Sequence, residues 1–216
     1  MHRQFAVIGL GQFGRTIALE LMRQGHEVLG LDNDQKLVNQ LAPQLTQALV
    51  VDATDESALA ELNLGHCDAV VVAIGEDIQS SILCTLHLKS LKVNQIWVKA
   101  LTPAHHKILA KLGADRIVHP EHEMGLRVAQ SLNYPAVQDY IALGNELFLV
   151  EIAATELLDG KDVASLNLAK RNISLVAHKR GTELLQSPPP ELSLAKGDAL
   201  VLLGKLGALQ ELSSLL

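Results

Sequence analysis

The sequence predicts a doubly wound parallel α/β sheet followed by a small α+β lobe, and three observations carry that prediction. Short β-branched runs alternate with longer amphipathic stretches through the first 120 residues, which is the rhythm of repeated βα units. The first run leads directly into Gly9-Leu10-Gly11-Gln12-Phe13-Gly14, a glycine loop set between a strand and a helix. After residue 118 the rhythm breaks, at Pro120 and again at Asn133-Tyr134-Pro135, and the apolar runs become shorter.

Six strands are expected at 5–9, 27–32, 47–51, 69–74, 95–99 and 116–118. They are rich in Val and Ile and mostly apolar throughout, as strands covered on both faces must be. Helices fill the gaps at 12–23, 34–41, 56–62, 78–91 and 103–112, with Gly25, Gly65 and Gly113 where C-terminal caps belong. Right-handed crossovers between parallel strands then wind the chain over both faces of one sheet. A further helix is expected at 121–132, and the Asn133-Tyr134-Pro135 turn sets a boundary between a domain of residues 1–134 and one of residues 135–216. In the second lobe, strands are expected at 147–153, 173–178, 183–186 and 199–203, with a closing helix at 206–215. Ser187-Pro188-Pro189-Pro190 separates the last two strands.

Composition narrows the classes. Hydrophobic residues make up 48% of the 216 but aromatics only 3%, so the core is aliphatic. The net charge is -6, from 18 Lys plus Arg against 24 Asp plus Glu, with no long basic run, and no nucleic-acid surface is expected. Cys67 and Cys84 sit in apolar stretches without CxxC spacing and read as reduced, buried thiols. Every apolar run stops far short of the roughly 18 to 20 residues that cross a bilayer. The N-terminal residues run straight into a strand, leaving no room for a leader, so a cytoplasmic protein is expected.

The glycine loop carries the clearest chemistry. Gly9 permits the tight turn, Gly11 lets backbone approach a pyrophosphate, and Gly14 lets the helix pack against the strand, the arrangement of a Rossmann-like dinucleotide site. Phosphates would meet the unpaired N–H groups of the helix that begins at Gln12 and Phe13. Asp32, 18 residues past Gly14 at the end of the second strand and followed by Asn33, can accept hydrogen bonds from ribose hydroxyls and disfavours a 2′-phosphate. Asp52 and Ala53, after the third strand, fall where an adenine would rest, or they are simply a turn. Ala73, Ile74 and Gly75 end the fourth strand on the opposite wall of the same crevice.

Catalytic groups are harder to find. The candidates are Lys99, His105, His106 and the His119-Pro120-Glu121-His122 cluster. Two histidines three residues apart with a carboxylate can ligate a metal, but Pro120 disrupts the helical spacing and no third strong ligand set stands nearby. Glu121 fits either a cation at a nucleotide phosphate or an acid favoured at a helix start by the dipole. His26 and His178 read as surface or turn residues. There is no nucleophile elbow and no Walker A sequence. A non-enzyme is expected, with an NAD-dependent oxidoreductase as the alternative reading.

Several strings together are more specific than the glycine loop alone: Phe5 to Gly14, Val72-Ala73-Ile74-Gly75, Trp97-Val98-Lys99-Ala100, and Lys111-Leu112-Gly113-Ala114-Asp115-Arg116-Ile117-Val118-His119-Pro120-Glu121 with Met124-Gly125. On these the chain resembles the RCK (regulator of potassium conductance) proteins of the TrkA/KtrA family. Leu158-Asp159-Gly160-Lys161 and Lys196-Gly197-Asp198-Ala199 through Gly204 resemble the family's C-terminal module. The resemblance implies a ligand-gated regulator that dimerises and assembles into rings, commonly octamers. Such rings dock on the cytoplasmic face of a membrane potassium-translocating subunit of the KtrB/TrkH kind. A regulator of another cation transporter is the alternative within the family.

ATP, ADP or NAD(H) in the crevice would change the ring's shape. By position, the resemblance implies that Gly9, Gly11 and Gly14 cradle phosphates, Asp32 holds the ribose, and Asp52 and Ala53 surround the adenine. Ala73 to Gly75 would form the opposite wall, Lys99 and His105 would line the crevice, and Glu121 would hold a magnesium or monovalent cation at the terminal phosphate. Relatives often carry Arg in the glycine loop where this chain has Gln12, which implies a weaker preference for ATP over ADP. The segment from Leu168 to Ile173 is shortened where some relatives bind cyclic di-AMP, and that ligand is not expected.

Overall fold

The computed structural model describes residues 2–133 and 137–213, and the chain divides into two compact units, Met1–Pro120 and Glu121–Leu216. The sequence boundary at 134 falls on residues outside those described. The helix that begins at Pro120 lies in the second unit from Glu121 onward.

In the first unit the strands are β1 (Gln4–Ile8), β2 (Glu27–Asp32), β3 (Gln47–Val50), β4 (Ala69–Val72), β5 (Ile96–Lys99) and β6 (Arg116–Val118). Between them run α1 (Gln12–Arg23), α2 (Gln35–Leu41), α3 (Glu56–Glu61), α4 (Ile78–Ser90) and α5 (Pro103–Leu112). All strand pairs are parallel, in the order β3-β2-β1-β4-β5-β6. The order reverses between β1 and β4, which opens a crevice at their carboxyl ends.

Alternation within a strand sends neighbours to opposite faces, and here both faces are covered. Ile8 and Val72 join a core with Leu59, Cys84, Leu88 and Leu109, while Val7 and Val28 join a second one with Ala18, Val38 and Leu41. Both cysteines are free and buried. Burial pushes the Cys84 thiol up to about 12, because an apolar core disfavours the thiolate.

In the second unit α6 (Pro120–Asn133) precedes β7 (Val137–Gly144), β8 (Leu147–Ala153), β9 (Ser174–Arg180), β10 (Glu183–Gln186), β11 (Ala199–Lys205) and α7 (Leu206–Ser213). The sheet order is β10-β9-β11-β8-β7, all antiparallel. Leu200 and Leu202 of the central strand β11 pack with Val150, Ile152, Leu166, Leu168, Leu209 and Leu212.

Two sequence expectations change here. β7 was not foreseen: it pairs with β8 through a hairpin in which Gly144, Asn145 and Glu146 all take positive φ. His178, read as a surface or turn residue, is 5% exposed within β9. Its Nε2 lies 2.7 Å from Asp198 Oδ2, and Asp198 also accepts from Arg180 Nε and Nη2 at 2.8 and 2.7 Å and from the Ala195 N–H at 2.8 Å. A buried carboxylate needs such partners, so this cluster is the polar centre of the lobe. His26 lies, as read, in the connection between α1 and β2, half-buried, with its ring edge-on to the Phe5 ring at a centroid distance of 5.3 Å.

Candidate functional site

The crevice is built by backbone as much as by side chains. Gly9 has φ of +93°, and a Cβ there would lie 2.9 Å from the Ala73 carbonyl carbon and 3.0 Å from Ile74 N, so the end of β4 presses directly on the loop. Gly14 is tighter still, since a Cβ would meet Gly9 O at 1.9 Å and Ala73 Cβ at 3.0 Å. Gly11 differs: nothing lies within 4 Å of the position its Cβ would take. Two glycines of the motif are thus consumed by packing, and the third leaves open backbone.

Helix termini sharpen the point. α2, α3, α4 and α5 begin with Asp34, Asp55, Asp77 and Thr102, whose side chains accept from N–H groups of their own first turns. α1 begins at Gly11 with no side-chain cap and no acidic residue in its first turn. The orphan donors and positive dipole end there suit an anion. That cradle fits a nucleotide phosphate.

Asp32 is held in place by two backbone N–H groups. Its Oδ2 accepts from the Leu10 N–H at 2.6 Å and its Oδ1 from the Asp34 N–H at 2.8 Å. Each oxygen keeps a lone pair. Asn33 beside it is exposed. At the next strand end, Asp52 Oδ1 accepts from Thr54 Oγ1 at 2.7 Å and from the Thr54 N–H at 2.9 Å. The Thr54 hydroxyl, then its N–H, hold the Asp52 carboxyl below the usual range. Asp52 therefore shapes the turn that buries Ala53.

The opposite wall joins three segments. Lys99, only 7% exposed at the end of β5, has its Nζ 5.7 Å from the centroid of the Phe13 ring on the glycine loop. A Cβ on Gly75 would come 3.1 Å from that Nζ, so Gly75 makes room for the ammonium head. Gln12, the polar side chain of the loop, is exposed. His105 is 1% exposed, and its Nδ1 accepts from the Leu101 N–H at 3.3 Å. That contact fixes the proton on Nε2, which has no hydrogen-bond partner. Burial, and secondarily the charge of His119, push the His105 pKa down, so the ring stays neutral and offers one buried N–H.

The sequence missed the Leu10 N–H that orients Asp32, the Thr54 hydroxyl that fixes Asp52, and the pairing of His106 with His119. Glu121 stands in the first turn of α6, in the second unit. Among the described residues there is no group of three or more His, Cys, Asp or Glu able to hold a metal. No helix among them is long and apolar enough to cross a membrane.

A parallel sheet with an open glycine loop and an Asp32 held by backbone N–H groups, followed by an antiparallel second unit, defines a two-domain α/β protein, and family comparison assigns the class. The chain belongs to the TrkA family, matching the TrkA-N domain over residues 5–120 and the TrkA-C domain over residues 147–216. It is 46% identical over 204 residues to Ktr system potassium uptake protein A of Bacillus subtilis (strain 168), covering 94% of this chain and 92% of that protein. The Vibrio alginolyticus protein of the same name is 38% identical over 203 residues, with 94% and 92% coverage. The solved GsuK channel bound to NAD shares the fold, with a TM-score of 0.67 at 19% identity over 100% of this chain and 39% of that one. The chain thus spans less than half the length of the solved channel it matches, but nearly all of its Ktr relatives.

Proposed function

We propose that this chain is the nucleotide-binding regulatory subunit of a potassium uptake system, working in the cytoplasm on the inner face of the membrane. It assembles with copies of itself into a ring, and it gates a separate membrane subunit that carries the ion. The carrying observation is the open, uncapped Gly11 start of α1 beside an Asp32 carboxylate already oriented by backbone N–H groups. The names of the Ktr relatives support the potassium system, and the NAD-bound channel supports a nucleotide ligand in this fold.

In this reading ATP, ADP or NAD(H) lies with its pyrophosphate over Gly9, Gly11 and Gly14 and its ribose on Asp32. Lys99 supplies positive charge near the phosphates, and the neutral His105 N–H donates to a ligand oxygen. Gating follows from differential affinity: a ligand that binds one ring shape better shifts the population toward it, and only by that difference. No hydride-accepting substrate is required, so nucleotide is bound and released unchanged.

Calorimetric titration with ATP, ADP and NADH tests the reading, followed by recovery of the nucleotide. Saturable binding at one site per chain with intact nucleotide supports it. Because Gln12 carries no charge, the affinities for ATP and ADP should differ by less than about tenfold, or about 1.4 kcal/mol. Oxidation of NADH coupled to a small substrate would instead favour an oxidoreductase.

A further inference from the structure

His106 and His119 meet across two loops of the first unit. His106 is on the first turn of α5 and His119 directly follows β6, and the His106 Nδ1 to His119 Nε2 distance is 2.8 Å. The rings are within 15° of coplanar with centroids 5.1 Å apart. That separation is no more than the N···N distance plus the two ring radii, so the imidazoles meet edge to edge along one straight N–H···N bond. Such a bond is directional and requires one ring to donate and the other to accept.

Its location matters. The β5–α5 turn is closed by Thr102 Oγ1, which accepts from the His105 N–H at 3.1 Å, and by the Leu101 N–H bond to His105 Nδ1. The β6 end is tied to β5 by the Ala100 N–H bond to Val118 O at 2.9 Å. Next in the chain comes His119, then Pro120, whose ring fixes φ at the first position of α6. The histidine bond is thus an additional tie between the crevice wall that carries His105 and the residue pair that starts α6.

We propose that His106 is a positioning residue: through His119 it passes a nucleotide-driven shift of the first turn of α5 to the start of α6 and so to the second unit. This rests on nucleotide binding in the crevice as read above. Rigid hydrogen-bonded contacts between packed elements carry such coupling when both sites bias one local equilibrium. The Asn side chain presents an amide close to the Nδ1 position, whereas Phe keeps the ring and loses the bond.

The experiment measures hydrogen exchange at the amides of His119 and residues 121–126 with and without ATP, ADP or NADH, in the parent, His106→Phe and His106→Asn proteins, alongside calorimetric affinity. In the parent, nucleotide should slow exchange there by about fivefold or more. In His106→Phe the affinity should stay within about threefold of the parent while the slowing disappears, and His106→Asn should restore at least half of it on a logarithmic scale. A His106→Phe protein that keeps the full response, or a His106→Asn protein as defective as His106→Phe, overturns the proposal and leaves nucleotide binding standing. A parent that binds no nucleotide overturns the underlying reading and this proposal with it.

Discussion

Gly14→Ala and Gly11→Ala separate packing from ligand contact within one loop. At Gly14 the added methyl would lie 1.9 Å from Gly9 O, a backbone atom that cannot rotate away. Reaching an ordinary contact of roughly 3.5 Å requires α1 or the loop to move by more than an ångström. The Ala73 Cβ at 3.0 Å blocks part of that movement. Overpacking of this kind costs about 1–3 kcal/mol, which lowers the melting temperature by roughly 3–10 °C in a chain of this size. The same displacement opens the phosphate cradle and lowers nucleotide affinity. At Gly11 the methyl enters open space, so the melting temperature should stay within about 1 °C. The methyl nevertheless stands where a pyrophosphate would approach, and affinity should fall by about tenfold or more. Thermal unfolding and calorimetric titration of both variants are the assays. A Gly11→Ala protein that binds nucleotide as tightly as its parent would refute the assignment of the cradle, and a Gly14→Ala protein with unchanged melting would refute the packing argument.

Other perturbations address separate parts of the molecule. Asp32→Ala removes the acceptor held by the Leu10 and Asp34 N–H groups, and should weaken NADH binding by about tenfold while narrowing the gap between NADH and NADPH; equal losses for both cofactors would count against a ribose contact. Gln12→Arg should raise the ATP-to-ADP affinity ratio by about fivefold through added charge at the phosphates, and an unchanged ratio in titrations would contradict the role given to that position. Asp198→Asn should destabilise the second unit by about 2–3 kcal/mol, discounted because Arg180 is half exposed. Arg180 chiefly, with His178, holds the Asp198 carboxyl well below the usual range. The folded state therefore draws stability from that ionised group above the unfolded value of about 4 and loses it as pH falls below that value. Acid titrations of parent and Asp198→Asn should differ in that window, and superimposable curves would contradict the cluster. Cys67 and Cys84 should resist a thiol-specific disulfide reagent until the chain unfolds, since both are buried with raised pKa; stoichiometric labelling of native protein would show otherwise.

The parallel sheet was legible because its cause is local. Gly9, Gly11, Gly14 and Asp32 stand at a recognisable spacing, and doubly buried strands are apolar along their length, β4 at every position and β1 at every position after Gln4. The α2 to α5 starts are closed by the N-cap side chains of Asp34, Asp55, Asp77 and Thr102, which the structure shows. The second unit was less legible. β7 carries Ile141 and Leu143, each more than half exposed, so its apolar residues do not report a core face. Its only local mark is the Gly144-Asn145 turn, whose residues take positive φ. The burial of His178 depends on β9 pairing with β11, which sets it opposite Leu200 and beside Asp198. The His106–His119 bond likewise depends on β5 and β6 being neighbours, a fact of topology that spacing does not encode.

The most direct test of the central claim is titration of the purified protein with ATP, ADP and NADH while its solution scattering is recorded and the nucleotide is afterwards recovered. The account predicts saturable binding at one site per chain, a nucleotide-dependent change in the dimensions of the assembly, and chemically unchanged nucleotide. Absence of binding, or binding that leaves the scattering curve unchanged, would contradict it.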